Sequence, residues 1–146
     1  MLIRLIKVGK TDSDCRDMAK KYQKRLQAWV RVEVLEHRSD EQVLKYFSGP
    51  QQKSVAKIVS LDERGKMWSS PQLADFIRNE RDCGGVRTLN FLVGSPYGLS
   101  EDLRKICAFS WSLSPAVFPS DLAWVLANEQ IYRAFSIING SPYHHA

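Results

Sequence analysis

The chain has 146 residues, 44% of them apolar and 25% charged, and a formal net charge of +5. That length and balance suit one domain, residues 1–146, with its own buried core, and no stretch approaches the roughly 18 continuous apolar residues of a membrane span. The N-terminal MLIRLIKVGK is too short and too basic for a secretory signal, so a soluble cytoplasmic protein is expected. Cys15, Cys83 and Cys107 are odd in number and form neither a CxxC pair nor a zinc pattern; free thiols are expected, without metal or disulfide.

The positive charge is concentrated in the N-terminal part. Residues 1 to 60 carry 13 Lys and Arg against 7 Asp and Glu, and residues 61 to 146 carry 8 against 9. A basic surface of this kind suits a polyanion such as RNA through phosphate neutralisation. It is equally the composition of an ordinary solvated face.

In chain order, Leu2 to Val8 read as a largely buried strand closed by Gly9. From Asp12, Cys15, Met18, Ala19, Tyr22, Leu26 and Trp29 fall at helical spacing, with Arg16, Lys20, Lys21, Lys24 and Arg25 between them. This predicts a helix with one buried and one basic face. Val32 to Leu35 form a second strand, and Ser39 or Asp40 caps a short helix through Phe47 before the break at Gly49 and Pro50.

Val55 to Leu61 form a third strand, with Asp62, Glu63, Arg64 and Gly65 as the polar turn that closes it. Two starts compete for the next helix: Ser70 with Pro71 as N-cap and first position, or Ser69 with Gln72 as a capping box. Leu73, Phe76, Ile77 and Ala74 supply its buried stripe, and it breaks at Cys83, Gly84 and Gly85. Leu89 to Val93 form a fourth strand. The loop Gly94, Ser95, Pro96, Tyr97, Gly98, Leu99 follows, and Ser100 caps the next helix with Glu101 and Asp102 in its first turn.

Trp111 to Phe118 is extended, interrupted by Pro115 and stopped by Pro119. A last helix begins near Ser120 and runs to Asn139 and Gly140, leaving Ser141 to His145 as a polar tail. Its apolar surface is wider than one stripe and needs cover on two sides, the second of which another subunit could supply. Strands alternating with helices predict an α/β fold with a mainly parallel sheet. Ligands in such folds bind beyond the carboxyl ends of strands, which directs attention to the loops after Leu61 and Val93.

The motifs taken singly are weak. GSPYG is neither GxGxxG nor a P-loop, so phosphate transfer and conventional dinucleotide binding lose support. Ser100, Ser112 and Ser120 lack a GxSxG setting and the histidines at 37, 144 and 145 have no acid partner in view, which argues against a hydrolase. Arg133, the only permanent cation after Ile106, either pairs with Glu129 four residues earlier or holds a substrate group. His144 and His145 are either a frayed end or a substrate-facing arm, and the arm could act across a subunit interface.

The segments LDERGKMWSSPQLADFI, FLVGSPYGLS, SWSLSPAVFPSDL and EQIYRAFSIINGSPYHH together resemble the RlmH family of SPOUT-class methyltransferases. The resemblance spans nearly the whole chain, and the segment between Val32 and Val55 is shorter than in that family. It implies a mainly parallel sheet with helices on both faces and a C-terminal trefoil knot, a feature that the rarity of knots would otherwise exclude. It also implies S-adenosylmethionine as cofactor, methylation of pseudouridine at N3 in 23S rRNA on assembled ribosomes, and a homodimer. Carried over by motif, Leu61, Gly94, Leu113, Ser114, Pro115, Ala116, Val117 and Phe118 surround the cofactor, while Arg133, Tyr143 and His144 are the catalytic candidates. Ser120, Trp124 and Ser95 stand where the family commonly has histidine, arginine and glycine. A noncatalytic, RNA-binding or ribosome-associated relative is the alternative, and a module for another nucleotide a third.

Overall fold

The computed structural model describes residues 1–49 and 56–145. Five strands, β1 (Leu2–Val8), β2 (Arg31–His37), β3 (Ala56–Met67), β4 (Thr88–Val93) and β5 (Phe109–Ser112), form one sheet in the order β2-β1-β4-β3-β5. Every neighbouring pair is parallel. The helices are α1 (Ser13–Leu26), α2 (Asp40–Ser48), α3 (Ser70–Asp82), α4 (Glu101–Lys105) and α5 (Ser120–Ile138).

Alternation along the strands divides the core in two, because successive side chains point to opposite sheet faces. Ile3, Leu5, Val59, Leu89, Phe91 and Val93 face α1, α3 and α5, whereas Ile6, Val8, Ile58 and Leu92 face α2 and α4. Helices therefore cover both faces. The central strands are buried on both sides, which is why β1 and β4 read as nearly continuous apolar runs.

Local chemistry sets the helix starts. Asp12, Ser39 and Ser100 each accept a backbone N–H from the first turn of their helix. At α3 Ser69 is the N-cap: its Oγ accepts from Gln72 N, and Gln72 Oε1 accepts from Ser69 N at 2.8 Å. This reciprocal pair, worth about 1 kcal/mol, decides between the two starts, with Pro71 inside the first turn.

Three expectations change. Met18 is 50% exposed rather than part of the buried stripe of α1, and Trp29 lies beyond the helix end, where it still stacks on Tyr132 with centroids 5.3 Å apart. The run from Asp62 to Gly65 does not end its strand. β3 continues to Met67, and both Leu61 and Lys66 pair with Trp111, so the four polar residues bulge between two stretches of pairing with β5. Within the chain, α1 and α3 pack against α5. Gln23 Nε2 donates to the buried Asn128 Oδ1 between α1 and α5, and Ser70 Oγ donates to Gln130 Oε1 between α3 and α5. Pro50 and Val55, named in the sequence reading, lie outside the described residues.

Candidate cofactor pocket and C-terminal cluster

A cavity of about 400 Å³ opens where the pairing of β3 with β4 ends, at Leu61 and Val93. Three segments build it: Leu61 to Arg64 at the bulge in β3, Val93 to Leu99 after β4, and the link from β5 to α5. Leu61, Gly94, Leu113, Ser114, Ala116, Val117 and Phe118 all line it; Pro115, the eighth cofactor candidate, is exposed in the same link and is not among the lining residues.

Backbone shape makes the cavity. At Gly94 an added Cβ would lie 2.9 Å from Leu99 Cδ2 and 3.2 Å from the Gly98 carbonyl carbon, so the glycine permits the loop to fold back on itself. Gly98, at φ +80°, turns that loop in the left-handed region, and its N–H donates to Ser95 O at 2.9 Å. Ser95 Oγ accepts from Tyr97 N. A serine where the resemblance has glycine therefore serves the turn itself. Opposite, Ser112 Oγ donates to Ser114 O, and Ser114 Oγ accepts from Ala116 N, giving the link a fixed course without regular structure. Ser120, at the start of α5, donates from Oγ to Gly94 O at 2.7 Å and joins the two walls.

Sequence reasoning gave Asp62, Arg64 and Arg104 no role at this site, and all three line it. Asp62 accepts from Arg64 and pairs with Arg104 at 3.2 Å, while Arg104 Nε donates to Leu99 O. The bulge and the glycine loop are thereby tied by one carboxylate and one guanidinium. Asp62 lies in the bulge of β3 and Arg104 on α4, so no local sequence pattern links them.

Arg133, Tyr143 and His144 form a second cluster. α5 ends in a Schellman turn: Gly140, at φ +67°, donates to Ile137 O, and Ser141 N donates to Ser136 O. The chain folds back from there. Arg133 donates from Nε and Nη2 to Glu129 Oε1 at 2.9 and 2.6 Å, its guanidinium lies 4.7 Å from the Tyr143 ring centroid, and its Nη1 is 3.3 Å from His144 Nδ1. A guanidinium has no acceptor, so His144 Nδ1 accepts and the ring proton sits on Nε2. Burial, then the hydrogen bond to Glu129, pushes the Tyr143 phenol well above its ordinary range, which makes it a donor and not a base at neutral pH. The bond to Glu129 holds the Arg133 guanidinium above its usual value too.

The two groups of candidates are not brought together within one chain. Ala123 lines the cavity and Arg133 stands ten positions further along α5, which at 1.5 Å per residue is about 15 Å. Among the described residues no group of three His, Cys, Asp or Glu comes together that could hold a metal, and no helix is long and apolar enough to cross a membrane. Cys15, Cys83 and Cys107 are free.

The family described as "Predicted SPOUT methyltransferase" matches residues 1–144. The chain belongs to the SPOUT methyltransferase family. Its relatives include the Ribosomal RNA large subunit methyltransferase H of Geotalea uraniireducens, 35% identical over 154 residues that cover 99% of this chain and all of that one. The protein of the same name from Geotalea daltonii is 42% identical over 114 residues, 78% of this chain and 71% of that one. Among solved structures, a probable methyltransferase from Bordetella pertussis superposes with a TM-score of 0.61 at 14% identity, covering 91% of this chain and 93% of that one. The SpoU methyltransferase AviRb from Streptomyces viridochromogenes, determined with AdoMet, gives a TM-score of 0.56 at 13% identity over 97% of this chain and 59% of that one. At those identities the structural likeness speaks for the SPOUT fold.

Proposed function

We propose that this SPOUT methyltransferase uses S-adenosylmethionine to methylate N3 of pseudouridine in large-subunit (23S) rRNA, on assembled ribosomes, as a cytoplasmic homodimer with a knotted C-terminal third. The observation that carries the reading is the cavity between the bulge of β3 and the carboxyl end of β4, in a chain 35% identical from end to end to a ribosomal RNA large subunit methyltransferase H. Its volume falls within the roughly 300–1,000 Å³ of small-ligand sites. Its walls suit an adenosyl group, with a close backbone approach at Gly94 and apolar enclosure by Leu113, Val117 and Phe118.

S-adenosylmethionine, when bound, supplies a methyl group activated on a sulfonium. The chain's own residues must hold the acceptor base in line, exclude water and remove the N3 proton as the new C–N bond forms. Arg133 anchors the substrate. Tyr143 stacks on or donates to the base, because its phenol keeps its proton. His144 accepts the N3 proton through Nδ1, the lone pair that faces Arg133 in this structure, and so releases Arg133 as substrate arrives. The distance between the cavity and this cluster supports a homodimer in which the tail of one protomer serves the pocket of its partner. The exposed Lys20, Lys21, Lys24 and Arg25 on α1 give a face for rRNA phosphates.

A noncatalytic RNA-binding relative is the second reading, favoured by Ser120 and by Trp124, which is buried in the core and offers no cation. Calorimetry with S-adenosylmethionine tests the cofactor assignment. Saturable one-site binding is expected, and no binding would leave only a fold relative or a module for another nucleotide.

A further inference from the structure

Lys7 is the largest of the fully buried side chains, 1% exposed, and no role above uses it. Its place is anomalous in the sequence pattern. On β1 it alternates with Ile3 and Leu5, so it points to the same face as those core residues and toward α5. An ammonium there loses its hydration, and burial pushes its pKa down.

Its partners show what offsets that cost. Nζ donates to Val8 O at 2.9 Å and to Ser120 Oγ at 2.7 Å, and lies 3.9 Å from Asp121 Oδ1. Ser120 Oγ donates onward to Gly94 O at 2.7 Å. One chain of hydrogen bonds thus runs from the end of β1, through the first residue of α5, to the first residue of the glycine loop. Ser120 and Gly94 both line the cavity, while Lys7 does not. With an N-terminus that no side chain caps, α5 depends on such contacts to fix where it starts.

We propose that Lys7 is a positioning residue for the cofactor pocket: its ammonium orients the Ser120 hydroxyl onto Gly94 O and clamps the N-terminus of α5 against the glycine loop. The part of this inference that concerns ligand affinity rests on the S-adenosylmethionine reading; the clamp itself does not.

The two are separable by experiment. In Lys7→Met, a chain of similar length replaces the charge and leaves Val8 O and Asp121 without their donor, so a lower melting temperature is expected and both assays are run well below it. Hydrogen exchange of the ligand-free protein is expected to quicken about tenfold or more at the amides of residues 94–99, and affinity for S-adenosylmethionine to fall about tenfold, the loss of one charge-assisted bond. Ser120→Ala is expected to do the same, and the double variant to be no worse than either single one. Faster loop exchange in Lys7→Met, together with no binding of S-adenosylmethionine by the wild-type protein, would sink the cofactor reading and leave the clamp standing. Unchanged exchange and affinity in Lys7→Met, or losses that multiply in the double variant, would overturn the proposal.

Discussion

Tyr143 donates its hydroxyl to Glu129 Oε1 at 2.9 Å, the same oxygen that accepts from Arg133 Nε and Nη2. One carboxylate oxygen therefore fixes both the cation of α5 and the tail beyond it. Of the two roles that its sequence position offers Arg133, the pair with Glu129 is formed, and the guanidinium also faces His144.

Glu129→Ala removes that anchor. Its carboxylate is 14% exposed and takes three charge-assisted or phenolic hydrogen bonds, so a stability loss of about 2 kcal/mol is expected. Affinity for S-adenosylmethionine should change less than about twofold, because Glu129 does not line the pocket and the tail is assigned to the acceptor base and not to the cofactor. Thermal unfolding and calorimetry on the same samples check both halves.

Tyr143→Ala combined with His144→Ala is expected to lower single-turnover methyl transfer about a hundredfold with cofactor affinity retained, the signature of groups acting on the transition state. If transfer were unchanged, the tail would be irrelevant to the chemistry. Tyr143→Phe separates the two roles of the ring: it keeps the edge-to-face contact with Tyr132, 4.7 Å away between centroids, and loses only the bond to Glu129. A milder loss, about tenfold, is expected.

Gly65→Ala tests the bulge in β3. A Cβ there would lie 2.6 Å from both the carbonyl carbon and the oxygen of Ser110, backbone atoms that cannot rotate aside. Separation of β3 from β5 and a loss of about 3 kcal/mol are expected. Chemical denaturation measures it, and a change under about 0.5 kcal/mol, the range of neutral surface substitutions, would mean that the two strands are not so closely apposed.

His37, at the end of β2, has its Nε2 buried without a partner among the described residues, and burial lowers its pKa below the ordinary 6.5. The unfolded chain then binds a proton that the folded chain resists, so the sign is fixed: stability is greatest above pH 6.5 and falls as pH drops from there to the lower folded value. Replacement by Phe should flatten that part of the stability profile. Unfolding midpoints measured between pH 5 and 8 would show it, and a profile unaltered by His37→Phe would assign the acid sensitivity elsewhere.

Much of the fold was legible because local rules and global pattern agree here. The apolar runs of β1 and β4, the cap at Ser100 and the stop at Gly140 are all short-range signals. The cofactor candidates fell into one cavity because parallel sheets bind ligands beyond their strand ends, with seven of the eight carried by resemblance lining it. What was not legible depends on pairing between distant segments. Asp62 to Gly65 have the composition of a turn, and only the resumption of pairing with β5 keeps them inside a strand. The N-terminal start of α3 was ambiguous until Gln72 reached back to Ser69. Lys7 did carry a signal, a charge at a core-facing strand position, but its partner lies 113 residues away. The separation of pocket and tail depends on the length of α5 and on where its ends dock, which no local pattern specifies.

The most direct measurement is transfer of a labelled methyl group from S-adenosylmethionine to ribosomes that lack this modification, compared with free rRNA, followed by mapping of the labelled nucleotide. The account predicts label on N3 of a single pseudouridine in the large-subunit rRNA of ribosomes and little on free rRNA. Binding of S-adenosylmethionine without label on either substrate would contradict it and favour a noncatalytic relative.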